Sequence, residues 1–281
     1  DQLVHAIGIN GSHNHTIGCP TAGKLTMMKN TVDPMAVQSG VFAALMAREG
    51  YTGTEAVFEG KEGFMDVFGP DWDESKLFDG LGEHFKILEC SMKAFPTEAL
   101  THTHLSATMK LVREHDIAWD EVDRVTVTTI ARACDILFDP HKYRPESRET
   151  ADHSLPYCIA AMIVDRQVTP ASFSEEKLKD ERIWAVIDRI EGEASEEFER
   201  MFPEKQPSRV VIRTKGGNEY SAYLEYPKGD PREPMTDEEL TIKFNALSAP
   251  YLSPERQESI RDTIFSCEEY SARDFMRTLV R

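Results

Sequence analysis

Apolar residues recur at helical spacing at both ends of the chain. Residues 2–9 have the composition of the end of an apolar helix, stopped by the glycines and asparagine that follow. Residues 34–49 carry apolar side chains three and four positions apart and end at Gly50. Near the other end, Thr236 is followed three residues later by Glu239, a capping-box pair that begins a helical stretch running to the C-terminus. Both ends are therefore predicted to be helical.

The middle of the chain mixes two periods, the alternation of strands and the longer repeat of helices. Two runs of alternating residues flank Lys215-Gly-Gly-Asn, which predicts a β-hairpin over residues 209–226. The predicted elements before it are a strand at 85–96 closing at Pro96, a helix at 97–115, a strand at 122–130, a buried helix at 155–165 and a charged helix at 175–200. This order predicts an α+β unit with an antiparallel sheet.

A polar cluster, residues 148–157, precedes the buried helix predicted at 155–165. It reads Arg-Glu-Thr-Ala-Asp-His-Ser-Leu-Pro-Tyr. Free backbone N–H groups at a helix N-terminus can bind an anion. The same residues also suit an ordinary cap, with Asp152 or Ser154 as N-cap and Pro156 in the first turn. The sequence of this stretch leaves both interpretations open.

Composition excludes several classes of function. The 281 residues are 40% hydrophobic and 29% charged, as in a globular protein, and carry a net charge of −17. That charge argues against binding to nucleic acid or to anionic membranes, which require basic surfaces. No apolar stretch approaches the ~20 residues of a transmembrane helix. The five cysteines are scattered, which fits a reducing compartment and excludes the ligand spacing of an iron–sulfur or structural zinc site. We therefore predict a cytoplasmic location.

The loop over residues 12–26 contains His13, His15 and Lys24. The two histidines lack a third ligand at a useful spacing, so we expect no metal site there. Lys29, just ahead of the helix at 34–49, is suitably placed to hold a carboxylate beside free N–H groups. The chain begins at Asp1 within a helical pattern, from which we expect that an N-terminal portion is missing.

Four motifs in order resemble the MmgE/PrpD family, which includes 2-methylcitrate dehydratase, cis-aconitate decarboxylase and iminodisuccinate epimerase. The resemblance covers essentially the whole chain. The motifs are Lys29 ahead of Gln38-Ser-Gly-Val-Phe, then Met92-Lys-Ala-Phe-Pro, then Arg148-Glu-Thr-Ala-Asp-His-Ser-Leu-Pro-Tyr, and Tyr226-Pro-Lys-Gly-Asp-Pro-Arg-Glu-Pro-Met.

The resemblance implies a two-domain α+β architecture. Residues 1–84 and 236–281 would form an all-helical domain, incomplete at its N-terminus. Residues 85–235 would form an inserted α+β lid domain carrying the antiparallel sheet. It also implies an active site in the cleft that needs no metal or organic cofactor, a small di- or tricarboxylate substrate, and a homodimer.

The resemblance also implies roles for individual residues. Lys29 matches a site lysine of the helical domain, Lys93 matches a lysine of the lid, and Tyr157 matches a tyrosine proposed as an acid or base. We expect these three to be catalytic. The candidates for binding substrate are Lys24, Arg148, Asp152 and His153. The decarboxylase has a histidine where this chain has Glu98, a departure that argues against a strict decarboxylase.

The predicted reaction is therefore dehydration of 2-methylcitrate or a similar tricarboxylic acid. Lysines would bind the carboxylates and stabilise the developing charge, while Tyr157 or a lysine of depressed pKa would move the proton. The alternatives are a decarboxylase or an epimerase on the same scaffold, since scaffold alone does not determine reaction. A non-catalytic fragment or one subunit of such an enzyme is a further alternative.

Overall fold

The computed structural model describes residues 1–14, 26–69 and 71–280. It divides into two compact units, Asp1–Phe85 and Lys86–Arg281. The C-terminal helices, residues 236–281, are part of the second unit. Their predicted union with residues 1–84 in one helical domain stays a prediction.

Among the described residues, the regular structure of the first unit is helical, as predicted. Its helices are α1 (Gln2–Gly11), α2 (Val32–Arg48), α3 (Phe64–Phe68) and α4 (Ser75–Phe78). Helix α1 packs on α2 around Ile9, Ala43 and Ala47. A Cβ atom on Gly8 would lie 2.1 Å from the carbonyl oxygen of Thr54, so a side chain there would prevent this close approach.

The second unit contains a four-stranded sheet in the order β2-β1-β3-β4. The strands are β1 (Val122–Thr129), β2 (Ile190–Ala194), β3 (Ser208–Thr214) and β4 (Glu219–Leu224). The predicted hairpin is confirmed, since β3 and β4 pair antiparallel across the Lys215–Asn218 turn. Strand β1 pairs antiparallel with β3 but parallel with β2. The sheet is therefore mixed, and the prediction of an antiparallel sheet was wrong on this point.

The error has a local cause, because β2 lies inside the stretch predicted as one charged helix at 175–200. Only Ile190 of β2 is buried, and the rest of this edge strand is exposed. It therefore lacks the alternation that predicts a strand. The stretch also contains two short helices, α9 (Glu181–Ile187) and α10 (Glu196–Met201).

One helix packs directly on the sheet, and a second, buried helix packs on the first. Helix α5 (His102–His115) packs on β3, β4 and α8 (Leu155–Asp165). The predicted buried helix 155–165 is confirmed at its predicted bounds, and nine of its eleven residues are buried. The remaining helices of the unit are α6 (Ala131–Leu137), α7 (Arg148–Ala151), α11 (Asp237–Ser248), α12 (Pro254–Phe265) and α13 (Ala272–Thr278). Within the described ranges, no helix is long and apolar enough to cross a membrane.

Residues 85–96 do not form the predicted strand. The segment contains a single 3-10 turn, Lys86–Glu89, followed by irregular backbone. The N–H of Met92 donates to the carbonyl of Gly229, which lies outside the sheet, at 2.8 Å. A strand requires a neighbouring ladder, and this segment pairs with a loop instead. The consequence is that Lys93 lies on a loop.

Candidate functional site

Residues 92–97, here called the lysine loop, fold back on themselves. The Nζ atom of Lys93 donates to the carbonyl oxygen of Thr97 at 2.7 Å. The Thr97 hydroxyl lies 2.7 Å from that of Thr101, and the Glu98 carboxylate accepts the N–H of Leu100 at 2.6 Å, capping the turn before α5. These contacts hold the Lys93 ammonium group close to the N-terminal end of α5.

His102, the first residue of α5, lies beside this loop and is only 3% exposed. Its ring is 5.5 Å from that of Phe95. Burial, together with the smaller effect of the nearby positive charges of Lys93 and Lys243, lowers the pKa of His102 to about 4. Among the described residues, its Nε2 atom has no hydrogen-bond partner. His102 is therefore a neutral imidazole near two lysines.

Lys243 reaches the lysine loop from helix α11. Its Nζ atom donates to the carbonyl oxygen of Lys93 at 2.5 Å. Lys243 forms no ion pair within 4.0 Å among the described residues. Two lysines thus converge on a neutral imidazole in a chain whose net charge is −17. We call this arrangement the Lys93–His102–Lys243 cluster.

Our sequence reasoning missed His102 and Lys243. A usable signal for the histidine was the His102-Thr-His104 pair inside a helix predicted to be largely apolar on one face. Lys243 gave no distinguishing signal, because a lysine on an acidic helix is ordinarily a solvated side chain. Only its contact with the lysine loop distinguishes it.

The predicted residues Asp152 and His153 lie next to the lysine loop. The carbonyl of Asp152 accepts the N–H of Glu98 at 2.9 Å, so backbone joins the two segments directly. The His153 Nδ1 atom forms a short hydrogen bond with the carboxylate of Asp152. Arg148, at the start of α7, is exposed. Their proposed contacts with substrate stay predictions.

The structure shows how the helix that follows the polar cluster, α8, is capped. Ser154 is the N-cap, and its hydroxyl accepts the N–H of Tyr157 at 3.0 Å and donates to the carbonyl of Lys142. Ser154 is fully buried. The ordinary cap is therefore confirmed, and the Ser154 hydroxyl forms both of these hydrogen bonds with backbone groups.

Tyr157 is fully buried, with its ring near those of Phe173 and Trp184. Its hydroxyl donates to the carbonyl oxygen of Ser172 at 2.8 Å. Burial raises the pKa of this phenol well above its ordinary value. These observations give Tyr157 a packing role. Its assignment as the proton-transfer group stays a prediction.

The remaining predicted lysines belong to the first unit or fall outside the described residues. Lys29 lies on the 3-10 turn Met27–Asn30, where its N–H donates to the carbonyl of Thr26 at 3.2 Å. Lys24 lies outside the described residues, as does His15. Within the described ranges, no group of three or more histidine, cysteine or acidic side chains could hold a metal ion.

Sequence profiles of two domains match this chain. The profile of the MmgE/PrpD C-terminal domain matches residues 95–268, and that of the MmgE/PrpD N-terminal domain matches residues 1–75. The first match alone covers more than half of the chain. The Lys93–His102–Lys243 cluster lies within or next to its bounds.

Curated relatives are similar to the chain along most of its length. A cis-aconitate decarboxylase-like protein of Aspergillus oryzae is 26% identical over 272 residues, which is 90% of this chain and 56% of that protein. The cis-aconitate decarboxylase of Aspergillus terreus is 24% identical, covering 95% of this chain and 57% of its own length. The human cis-aconitate decarboxylase is also 24% identical, covering 98% and 57%. This chain thus spans little more than half the length of these relatives.

Proposed function

Because this chain belongs to the MmgE/PrpD family, we propose that it carries the lysine-bearing part of a lyase site for a small tricarboxylic acid. The relatives named above are cis-aconitate decarboxylases or similar to them. Decarboxylation of an acid of that kind is therefore the first reaction to test. We also propose the two-domain arrangement, with residues 85–235 acting as a lid over the cleft.

The observation that carries the proposal is the convergence of Lys93 and Lys243. A tricarboxylate is an anion, and a chain of net charge −17 repels it unless cations are concentrated locally. Lys243 donates to the backbone of Lys93, which brings the second lysine to the loop of the first. Because His102 is neutral near neutral pH, it adds no third charge to repel these ammonium groups.

In decarboxylation, the bond between carbon and the departing carboxylate breaks and its electron pair stays on carbon. An ammonium group beside a remaining carboxylate stabilises that charge as it spreads through the unsaturated system. A proton must then be delivered to the carbon by an acid. Lys93 suits the stabilising role, since its side chain is held at the loop by the Thr97 carbonyl.

Dehydration is the second candidate, and Glu98 favours it. This residue directly follows the lysine loop, and its carboxylate accepts the N–H of Leu100. The remaining lone pairs of its oxygens leave this carboxylate able to accept a proton, which dehydration needs at the carbon beside the substrate carboxylate. Decarboxylation instead requires a proton donor. A hydroxylated acid such as 2-methylcitrate is the substrate that separates the two reactions.

The test is an activity assay on this chain, and on this chain joined to the unmatched part of a decarboxylase relative. Each protein is given cis-aconitate, citrate or 2-methylcitrate, while carbon dioxide release and absorbance of the unsaturated product are followed. Carbon dioxide from cis-aconitate supports decarboxylation, whereas unsaturated product without carbon dioxide supports dehydration. No turnover, together with no binding of the unreactive tricarboxylate tricarballylate, would overturn the proposal.

Substitution separates the site lysines from an ordinary lysine. We expect Lys93→Met and Lys243→Met each to weaken tricarballylate binding about tenfold or more, since a charge-assisted contact contributes ~1.5–3 kcal/mol. Lys110→Met is the control, because Lys110 lies on the same unit with a half-exposed side chain beside Glu114. Equal affinity in all three variants would exclude the two lysines from the binding site.

A further inference from the structure

The segment that returns from the sheet to the C-terminal helices, residues 226–235, lies directly against the lysine loop. We call it the return loop. The N–H of Met92 donates to the carbonyl of Gly229 at 2.8 Å. A Cβ atom added to Gly229 would lie 1.9 Å from the carbonyl oxygen of Met92. Gly229 also has φ +94°, a conformation that side chains disfavour. Only glycine permits this contact between the two backbones.

The return loop is itself held rigidly by its own side chains. Arg232 makes two hydrogen bonds to the Asp230 carboxylate, at 2.7 and 3.0 Å, and lies 3.9 Å over the ring of Tyr226. Asp230 is buried, and the Arg232 guanidinium lowers the pKa of its carboxyl group. Lys228 forms ion pairs with Glu233 and with the first turn of α11. These contacts hold the return loop in place, and with it the Gly229 carbonyl that accepts the N–H of Met92.

Two contacts made by lysine side chains also hold the lysine loop. The Lys243 ammonium group donates to the carbonyl of Lys93, and the Lys93 ammonium group donates to the carbonyl of Thr97. The residue before Lys93 is thus held by Gly229, and Lys93 itself by α11. This places the backbone of Lys93 between two independent supports.

We propose that Gly229 is a positioning residue for Lys93, setting the location of its ammonium group through backbone contact with Met92. The binding of substrate by Lys93 rests on the proposed function. The effect of Gly229 on the position of the lysine loop does not depend on it. A side chain at Gly229 must push Met92 away by about 1 Å or more, to restore an ordinary separation. A displacement of that size at a binding group is enough to cost ~100-fold in rate.

A matched pair of glycine variants tests the proposal. Gly229→Ala introduces both positive-φ strain and the contact with Met92. Gly217→Ala, in the β3–β4 turn, introduces strain at φ +86° but meets no atom within 4 Å. Both substitutions therefore place alanine at a positive φ, but only Gly229→Ala displaces the lysine loop. Comparing them separates positioning from loss of stability.

Three measurements are made on each variant and on the wild-type chain. They are the melting temperature, the hydrogen-exchange protection of the Met92 amide, and the dissociation constant of tricarballylate. For Gly229→Ala we expect Met92 protection to fall about tenfold or more and the dissociation constant to rise about tenfold. For Gly217→Ala we expect both quantities to match wild type, whatever the melting temperature.

Equal protection and equal affinity in the two variants would overturn the positioning role. If wild type fails to bind tricarballylate, the proposed function fails, while Met92 exchange still decides the positioning claim. Should Gly229→Ala not fold, Arg232→Gln loosens the return loop without adding atoms beside Met92. We expect that variant to lower Met92 protection and tricarballylate affinity in the same direction by a smaller factor, and unchanged values would again overturn the proposal.

Discussion

Two buried histidines on α5 should make this protein sensitive to mild acid. His102 is 3% exposed and His104 is 2% exposed. Burial lowers the pKa of each to about 4, from the ordinary 6.5. The Nδ1 atom of His104 lies 2.9 Å from the carbonyl oxygen of Leu100, so we infer that Nδ1 carries the proton in the neutral ring. Among the described residues, its Nε2 atom is buried without a partner, so a proton added there would be poorly solvated.

The direction of the change in stability with pH follows from the numbers of protons that the folded and unfolded chains bind. Between pH 6.5 and pH 4 the unfolded chain binds protons at these histidines and the folded chain does not. Stability is therefore fully present above pH 6.5 and is lost as the pH falls towards 4. From these two pKa values, lowering the pH from 7 to 5 costs about 2 kcal/mol per histidine, or about 4 kcal/mol together. That is a large part of the ~5–15 kcal/mol that stabilises a typical domain.

The assay is urea unfolding at several pH values between 5 and 7, with the free energy of unfolding plotted against pH. We expect His104→Gln to reduce the slope of that plot by about 1 kcal/mol per pH unit, because one proton fewer is taken up on unfolding. His141→Gln is the control, since His141 is exposed. If His104→Gln and the control both keep the wild-type slope, His104 titrates with an ordinary pKa and the reasoning is refuted.

Three further substitutions test the packing. Tyr157→Phe should lower the free energy of unfolding by about 1–2 kcal/mol, since the buried carbonyl of Ser172 loses its donor; lost turnover at unchanged stability would instead support proton transfer by this tyrosine. Gly192→Ala should lower the melting temperature, because its Cβ would lie 2.7 Å from the ring of Phe138; an unchanged value would show that this ring moves freely. Thr236→Ala should cost about 1 kcal/mol in urea unfolding by removing half of a capping box, whereas no loss would show that α11 does not need its cap.

Local signals predicted those elements whose cause lies in adjacent residues. The β3–β4 hairpin follows from the Lys215-Gly-Gly-Asn turn, because only certain residues adopt that turn and the flanking alternation sets the register. Helix α8 follows from an unbroken apolar run behind a serine cap. The capping box of Thr236 and Glu239 is of the same kind.

Elements stabilised by distant partners could not be predicted in this way. Strand β2 is mostly exposed and rich in glutamate, and it exists because β1 offers a parallel edge to pair with. Residues 85–96 alternate like a strand, but their available partner is the carbonyl of Gly229 and not a strand. In both cases tertiary hydrogen bonding overrides the local pattern.

The sequence by itself determined the family, the α+β class and the hairpin, and it predicted Lys93 as a site residue, because motif order and local propensity are written in neighbouring residues. Only the tertiary structure decided which groups surround that lysine. Lys243 is 150 positions away along the chain, and its approach to Lys93 depends on how α11 packs. Likewise, Tyr157 has its burial from the packing of α8, and His102 has its lowered pKa from burial beside two lysines. Such properties depend on distance and dielectric environment, which exist only once the chain is folded.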